Sequence, residues 1–157
     1  MYYTEFETVL CKMILFGDKG GITRLHMIVE DDRRGLKIPD DYIRNDAFFE
    51  EAKKQLIEYA KGQRKTFDLK LNPKGTDFQK KCWQALCNIP YGETRTYKDI
   101  AIAVGNEKAS RAVGMANNKN PIPVIIPCHR VIGANGKLTG FAFGLDIKQE
   151  MLNLENR

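Results

Sequence analysis

The sequence has only two histidines, His26 and His129, and no Cys-x-x-Cys pair. Its four cysteines are Cys11, Cys82, Cys87 and Cys128. Cys82 and Cys87 lie five apart in a stretch that reads as helix, so they fall on different faces. Ligands so few and so spaced do not suit a structural metal, and neither a metal nor a cofactor is expected. The first ten residues, MYYTEFETVL, are acidic and lack the basic start of a secretory signal, which argues against a disulfide framework. Cys11, Cys82 and Cys87 are read as small buried hydrophobes. Long apolar runs are missing too. The longest, Pro121 to Pro127, falls far below the ~20 residues of a spanning helix and carries three prolines. The expected address is cytoplasmic, with no membrane contact.

What is present suits a globular chain of one domain or two small ones: 157 residues, 43% hydrophobic and 29% charged. The net charge of +5 is unevenly placed. Residues 1–70 hold 13 basic and 13 acidic side chains, whereas residues 71–157 hold 12 and 7. A neutral half joined to a basic half suits a scaffold joined to a polyanion-binding part, although a +5 imbalance can also arise by chance.

The first 30 residues read as a β-hairpin, with strands over Thr8–Phe16 and Ile22–Val29 about a turn at Asp18-Lys19-Gly20-Gly21. Residues 31–45 are charged and read as a loop. Residues 46–61 read as a helix with Asp46 as its cap. Phe49, Ala52, Leu56 and Ala60 share its inner face, and Gly62 stops it. Thr66–Leu71 alternates like a further strand, and Asn72-Pro73-Lys74-Gly75 breaks the chain. The domain boundary is placed here, giving 1–75 and 76–157. The second half reads as helical. Thr76 with Gln79 forms a capping box ahead of the stripe Phe78, Cys82, Ala85, Leu86 and Ile89. Pro90-Tyr91-Gly92 ends that helix. Thr96 with Asp99 opens a second, which Gly105 stops. Asn106 is expected to cap a third over 107–117. The fold class is α+β: a small α/β amino-terminal domain, an antiparallel sheet plus helix, packed on a mostly helical carboxy-terminal domain with a helix-turn-helix outline.

The third helix is rich in small residues: Ala109, Ser110, Ala112, Gly114 and Ala116. Such a helix can pack tightly on another or enter a nucleic-acid groove, and Arg111 would project beyond its small neighbours. The segment NPIPVIIPCHRVI reads as a buried strand, Val124 to Ile126, ended by Pro127. That places Cys128 at a sharp exit from the core, beside His129. A thiol next to an imidazole suits nucleophilic chemistry, because the thiolate is the reactive form and a base generates it. Adjacent side chains point apart, so a water relay is favoured over direct contact. On the residues alone, a reactive Cys128 and an inert buried one both remain open.

Pro127-Cys128-His129-Arg130-Val131-Ile132 resembles the active-site signature of the O6-alkylguanine-DNA alkyltransferases. Tyr97, Arg111-Ala112-Val113-Gly114, Asn120-Pro121, Leu138, Gly140, Gly144-Leu145, Lys148, Leu152 and Glu155 follow in that family's order and spacing. The resemblance covers residues 76–157 closely and residues 1–75 in general layout. It implies a single-turnover DNA repair protein that flips an O6-alkylguanine from double-stranded DNA and takes the alkyl group onto Cys128. In that scheme His129 takes the thiol proton through water, and Glu155 orients His129. Tyr97 donates to N3 of the base, Asn120 holds the supporting turn, and Lys148 supports the pocket. Arg111 fills the gap left by the base, and Ala109, Ser110, Ala112 and Gly114 line a helix in the minor groove. The family most often has Tyr where Phe141 stands, Ser or Arg at Ala142, and Gly at Phe143. Phe141 can still stack on the base, and the Ala142 N–H can still reach O6. These departures bear on bulky O6 groups such as benzyl rather than on methyl. No metal or cofactor is implied, and a monomer is expected. The competing class is a non-catalytic lesion-binding relative, which lacks the cysteine.

Overall fold

The computed structural model describes residues 1–29 and 36–157. Residues 30–35, which include the start of the loop expected over 31–45, lie outside the described residues. The chain forms two compact units, Met1–Pro73 and Lys74–Arg157. The family of elements is α+β, with the strands concentrated in the first unit and the helices in the second.

The first unit holds strands β1 (Tyr2–Glu7), β2 (Lys12–Asp18), β3 (Gly21–Ile28) and β4 (Ile43–Arg44) in the order β3-β2-β1-β4. The hairpin β2–β3 is where the sequence places it, with Leu15 opposite Leu25. The sheet is mixed, because β4 runs parallel to β1. β1 was not expected, and Thr8 does not begin a strand. Its hydroxyl accepts from the N–H groups of Leu10 (3.2 Å) and Cys11 (3.1 Å), closing a turn between β1 and β2. Helix α1 (Glu50–Ala60) follows a single 3-10 turn at Ala47–Phe49. Phe49, Ala52, Leu56 and Ala60 are all buried, as their spacing predicts. Asp46 does not cap this helix. Its carboxylate accepts instead from the Thr4 hydroxyl (2.6 Å) and Arg44 Nε (3.0 Å). Thr66–Leu71 is not a strand either. Gln55 brackets Asp68, receiving its N–H (2.9 Å) and donating to its carbonyl (3.3 Å), and only Leu71 bridges the sheet, at Ile22. A helix side chain thus takes backbone groups that a ladder would use.

The second unit holds α2 (Asp77–Cys87), β5 (Arg95–Thr96), α3 (Tyr97–Ala103), α4 (Ser110–Asn118), β6 (Val131–Ile132) and α5 (Leu145–Glu155). Thr76 and Thr96 both form complete capping boxes, with Gln79 and Asp99. Gly105, at φ +88°, makes the turn between α3 and α4. The helix expected over 107–117 starts later, at Ser110. Asn106 closes a turn first, accepting from Lys108 N–H (3.2 Å) through its side chain and from Ala109 N–H (3.0 Å) through its carbonyl. Trp83 ties α2 to α4, its buried indole N–H donating to Ala116 O at 2.9 Å. Among the cysteines, Cys82 and Cys128 are buried, Cys11 is half-buried and Cys87 is exposed, so Cys87 is not the core hydrophobe expected. It is the last residue of α2 and lies off the face that buries Leu86 and Ile89. No helix among the described residues is long and apolar enough to cross a membrane.

Removing the indole donor while keeping an aromatic ring tests the α2–α4 tie. Trp83→Phe is expected to cost about 1–3 kcal/mol of unfolding free energy, read by circular dichroism in urea.

Candidate functional site

Val124 to Ile126 are buried, yet they form turns rather than the strand their composition suggests. Proline at 121, 123 and 127 denies the segment the N–H groups of a ladder. Asn120 organises it instead. Its side-chain carbonyl accepts from Ile122 N–H (2.9 Å) and its amide donates to Ile126 O (2.8 Å). The tightness shows at Val124, which sits at φ +73° although it is β-branched. The segment then enters a 3-10 turn, Cys128–Arg130, in which all three residues are buried.

Two further elements fix this turn. The parallel pair β5–β6 sets Arg95 beside Val131 and Thr96 beside Ile132, so α3 starts next to the cysteine turn. Tyr97 opens α3 and its hydroxyl donates to Thr139 O at 3.1 Å. Lys148, on α5, is fully buried and donates to the same Thr139 O (2.9 Å) and to Val131 O (2.6 Å). Also from α5, Glu155 reaches His129, with Oε2 2.6 Å from Nε2. Asn117, on α4, donates to Cys128 O at 3.4 Å.

Cys128, His129, Glu155, Asn120, Lys148 and Tyr97 therefore gather around the cysteine turn in a few bonded groups. The remaining expected residues stand outside these groups. Arg111 and Ala112 are exposed on α4, with Ala109, Ser110 and Gly114 half-buried. Met115, among these small side chains, is 64% exposed. Phe141 is half-buried, edge-on to Phe143 at 6.1 Å, and Ala142 is exposed. A groove of about 830 Å³ between α2 and α3, lined in part by Lys81, Arg95 and Asp99, contains none of Cys128, His129, Glu155, Asn120, Lys148 and Tyr97. Among the described residues, no group of three or more His, Cys, Asp or Glu converges as a metal site would.

Sequence reasoning missed Arg130. It is buried and forks onto Glu155, with Nε to Oε1 at 2.7 Å and Nη2 to Oε2 at 3.1 Å. Its Nη1 donates to Ile89 O at 2.8 Å, and Gly92 N–H adds a bond to Glu155 Oε1 at 3.2 Å. Gly92 sits at φ +82°, and a Cβ there would come within 3.2 Å of Glu155 O. The available signal was an arginine inside a buried apolar motif, which demands a counter-charge. Spacing alone does not say which carboxylate supplies it.

Burial dominates the titration of the site. It pushes the Cys128 thiol up to about 11, against hydrogen bonding from Asn120, the charge of Lys148 and nearby backbone donors. His129 is lowered, mainly by burial and further by Arg130 and Lys148, with Glu155 pulling the other way. Burial also lowers Lys148. At rest the pair is therefore a neutral thiol and a neutral imidazole.

Residues 1–73 match the family model described as 6-O-methylguanine DNA methyltransferase, ribonuclease-like domain, and residues 77–157 match its DNA binding domain. The methylated-DNA–protein-cysteine methyltransferase of Methanosarcina mazei is 56% identical over 155 residues, covering 99% of this chain and 97% of that protein. The constitutive enzyme of that name from Bacillus subtilis is 50% identical over 157 residues, covering 98% and 94%. The crystal structure of Mycobacterium tuberculosis OGT in complex with DNA superposes with a TM-score of 0.89 at 41% identity, covering 99% of this chain and 93% of that one. With both halves matched and the similarity running the full length, the chain belongs to the methylated-DNA–protein-cysteine methyltransferase (O6-methylguanine DNA methyltransferase) family.

Proposed function

We propose that this chain repairs O6-alkylguanine in double-stranded DNA by moving the alkyl group, once and irreversibly, to Cys128. The carrying observation is the buried Cys128–His129 pair backed by Glu155, whose Oε2 lies 2.6 Å from His129 Nε2. A thiol pushed up to about 11 is protonated at neutral pH, so attack needs a base. His129 gives Nε2 to Glu155, which leaves Nδ1 as the nitrogen that can accept the thiol proton through a water. Sγ then forms the bond to the alkyl carbon as the carbon–O6 bond breaks, leaving a thioether and a guanine anion that becomes guanine on taking up one proton. Charge left on the base is met by the Tyr97 hydroxyl, turned from Thr139 O to N3, and by the Ala142 N–H at O6.

Access to O6 requires the nucleotide to leave the stack. Helix α4 suits that task. Its exposed side presents Ala112 and Met115 with Arg111 among them, and the half-buried Ala109, Ser110 and Gly114 flank it. In the minor groove these residues keep the backbone close, and Arg111 occupies the space of the extruded base. Phe141 stacks on the flipped guanine. Asn120 and Lys148 hold the turn and the loop that frame it. The protein acts as a monomer on DNA.

Intact mass after mixing with excess O6-methylguanine duplex tests the reading. One methyl increment per chain, never more, on the peptide holding Cys128 is expected. Bound DNA without a mass change would instead make the chain a lesion-binding relative. Cys128→Ser is expected to abolish transfer while leaving duplex affinity nearly unchanged, because the thiol adds nothing to phosphate contacts.

Arg111→Ala is expected to slow repair of duplex more than reaction with the free base, by about tenfold if the finger supplies roughly 1.4 kcal/mol of the extrusion. Equal losses on both substrates would remove the finger role.

Because His129 is lowered from 6.5 in the folded protein, it stays a competent base as pH falls through that value. The single-turnover rate on duplex is expected to hold its plateau at pH 6.5 and fall only on further acidification. A half-maximal rate already at pH 6.5 would contradict this.

A further inference from the structure

Arg130 lies in the nucleophile's own turn, yet every hydrogen bond of its side chain goes to Glu155 or Ile89. Its guanidinium carbon also sits 5.6 Å from the centre of the Tyr91 ring. Burying a guanidinium is costly unless its fork is filled, and here it is filled. The consequence falls on Glu155. Its carboxylate meets four donor contacts: Arg130 Nε and Gly92 N–H at Oε1, and Arg130 Nη2 and His129 Nε2 at Oε2. Four is the number of lone-pair sites that an ionised carboxylate offers.

We propose that Arg130 is a positioning residue for the transfer reaction: by clamping Glu155 as an ionised acceptor, it fixes His129 as the neutral, Nε2-protonated tautomer and reserves Nδ1 for the thiol proton. This rests on His129 acting as the base.

Charge balance explains why the clamp matters. A carboxylate facing histidine alone stabilises imidazolium, since the pair is then neutral overall. Arg130 already neutralises Glu155. The groups facing His129 are Glu155 and Lys148 from α5 and Cys128 and Arg130 from its own turn, with Tyr91 behind Arg130. Protonating His129 in the resting state therefore adds uncompensated positive charge to a buried cluster that already holds Lys148. Once the proton comes from Cys128, the thiolate left behind supplies the missing negative charge. Imidazolium is thus favourable only together with thiolate, so the base is idle until the nucleophile is engaged.

The chain's two histidines make the test direct. Nitrogen-15 imidazole spectra of the wild type are expected to show His129 neutral with its proton on Nε2 at pH 7.5. A proton on Nδ1, or an imidazolium, overturns the proposal. In single-turnover transfer to an O6-methylguanine duplex, R130Q is expected to move the midpoint of the acid limb up by about one pH unit, a tenfold change in the protonation equilibrium. R130K, which keeps the charge and loses the fork, is expected to keep the midpoint within about half a unit of wild type, at a lower rate. A folded R130Q with the wild-type midpoint overturns the proposal. If circular dichroism shows R130Q unfolded, the wild-type spectrum and the R130K midpoint decide. An R130K midpoint displaced by a full unit or more then overturns it. Failure of the wild type to gain mass on Cys128 would sink the underlying reading instead. Normal mass gain with an unshifted R130Q profile sinks only the role of Arg130.

Discussion

The Glu155 carboxylate is the interaction on which the second unit depends. A buried carboxylate costs several kcal/mol of desolvation unless its oxygens are matched by donors. Here the donors come from two places in the chain, the turn holding His129 and Arg130 and the Gly92 N–H after α2, while Arg130 also donates to the Ile89 carbonyl just past α2. Helix α5, the cysteine turn and the Pro90-Tyr91-Gly92 segment must therefore be in place together. A partly formed version would hold an unpaired charge in the core, so the arrangement favours one geometry over near alternatives.

A second knot, at Thr139 O, performs the same service for the other side of the site. Tyr97 from α3 and Lys148 from α5 both donate to it, and Lys148 also holds Val131 in β6. An ammonium buried this fully draws on two carbonyls, and its charge faces the thiol. Cys128 thus lies beside a buried ammonium and several donors, yet burial keeps it protonated. That combination suits a thiol used once. A protonated thiol is a weak nucleophile, so the transfer proposed for Cys128 needs a base at hand.

Helix α4 joins these knots to the outer surface. Val113, Ala116 and Asn117 face inward, and Trp83 and the Cys128 carbonyl bond to that inner side. Arg111, Ala112 and Met115 face outward. One short helix therefore carries both the surface assigned to DNA and a direct bond to the nucleophile's backbone. The strain at Val124 belongs to the same design. A β-branched residue at φ +73° costs on the order of 1–3 kcal/mol, and the Asn120 bonds and burial around it offset that cost.

Features governed by nearest neighbours and by period needed only the amino-acid order. The capping boxes at Thr76 and Thr96, the inner face of α1, the β2–β3 hairpin and the two-helix outline around Gly105 are all local, and each was legible. The order Pro127-Cys128-His129, with Tyr97, Asn120, Lys148 and Glu155 at their spacings, carried the family and its chemistry. What tertiary structure decided was the destination of backbone and charge. Thr8 closes a turn instead of starting a strand, because its hydroxyl finds Cys11. Asp46 gives no side-chain cap to its helix, because Thr4 and Arg44 hold its carboxylate. Within Thr66–Leu71, Asp68 gives its N–H and carbonyl to Gln55, and Val124–Ile126 obeys Asn120 and three prolines rather than its β propensity. The contacts of Arg130 were invisible for the same reason. Its meaning lies in a carboxylate 25 residues away, and only packing decides which buried charge meets which.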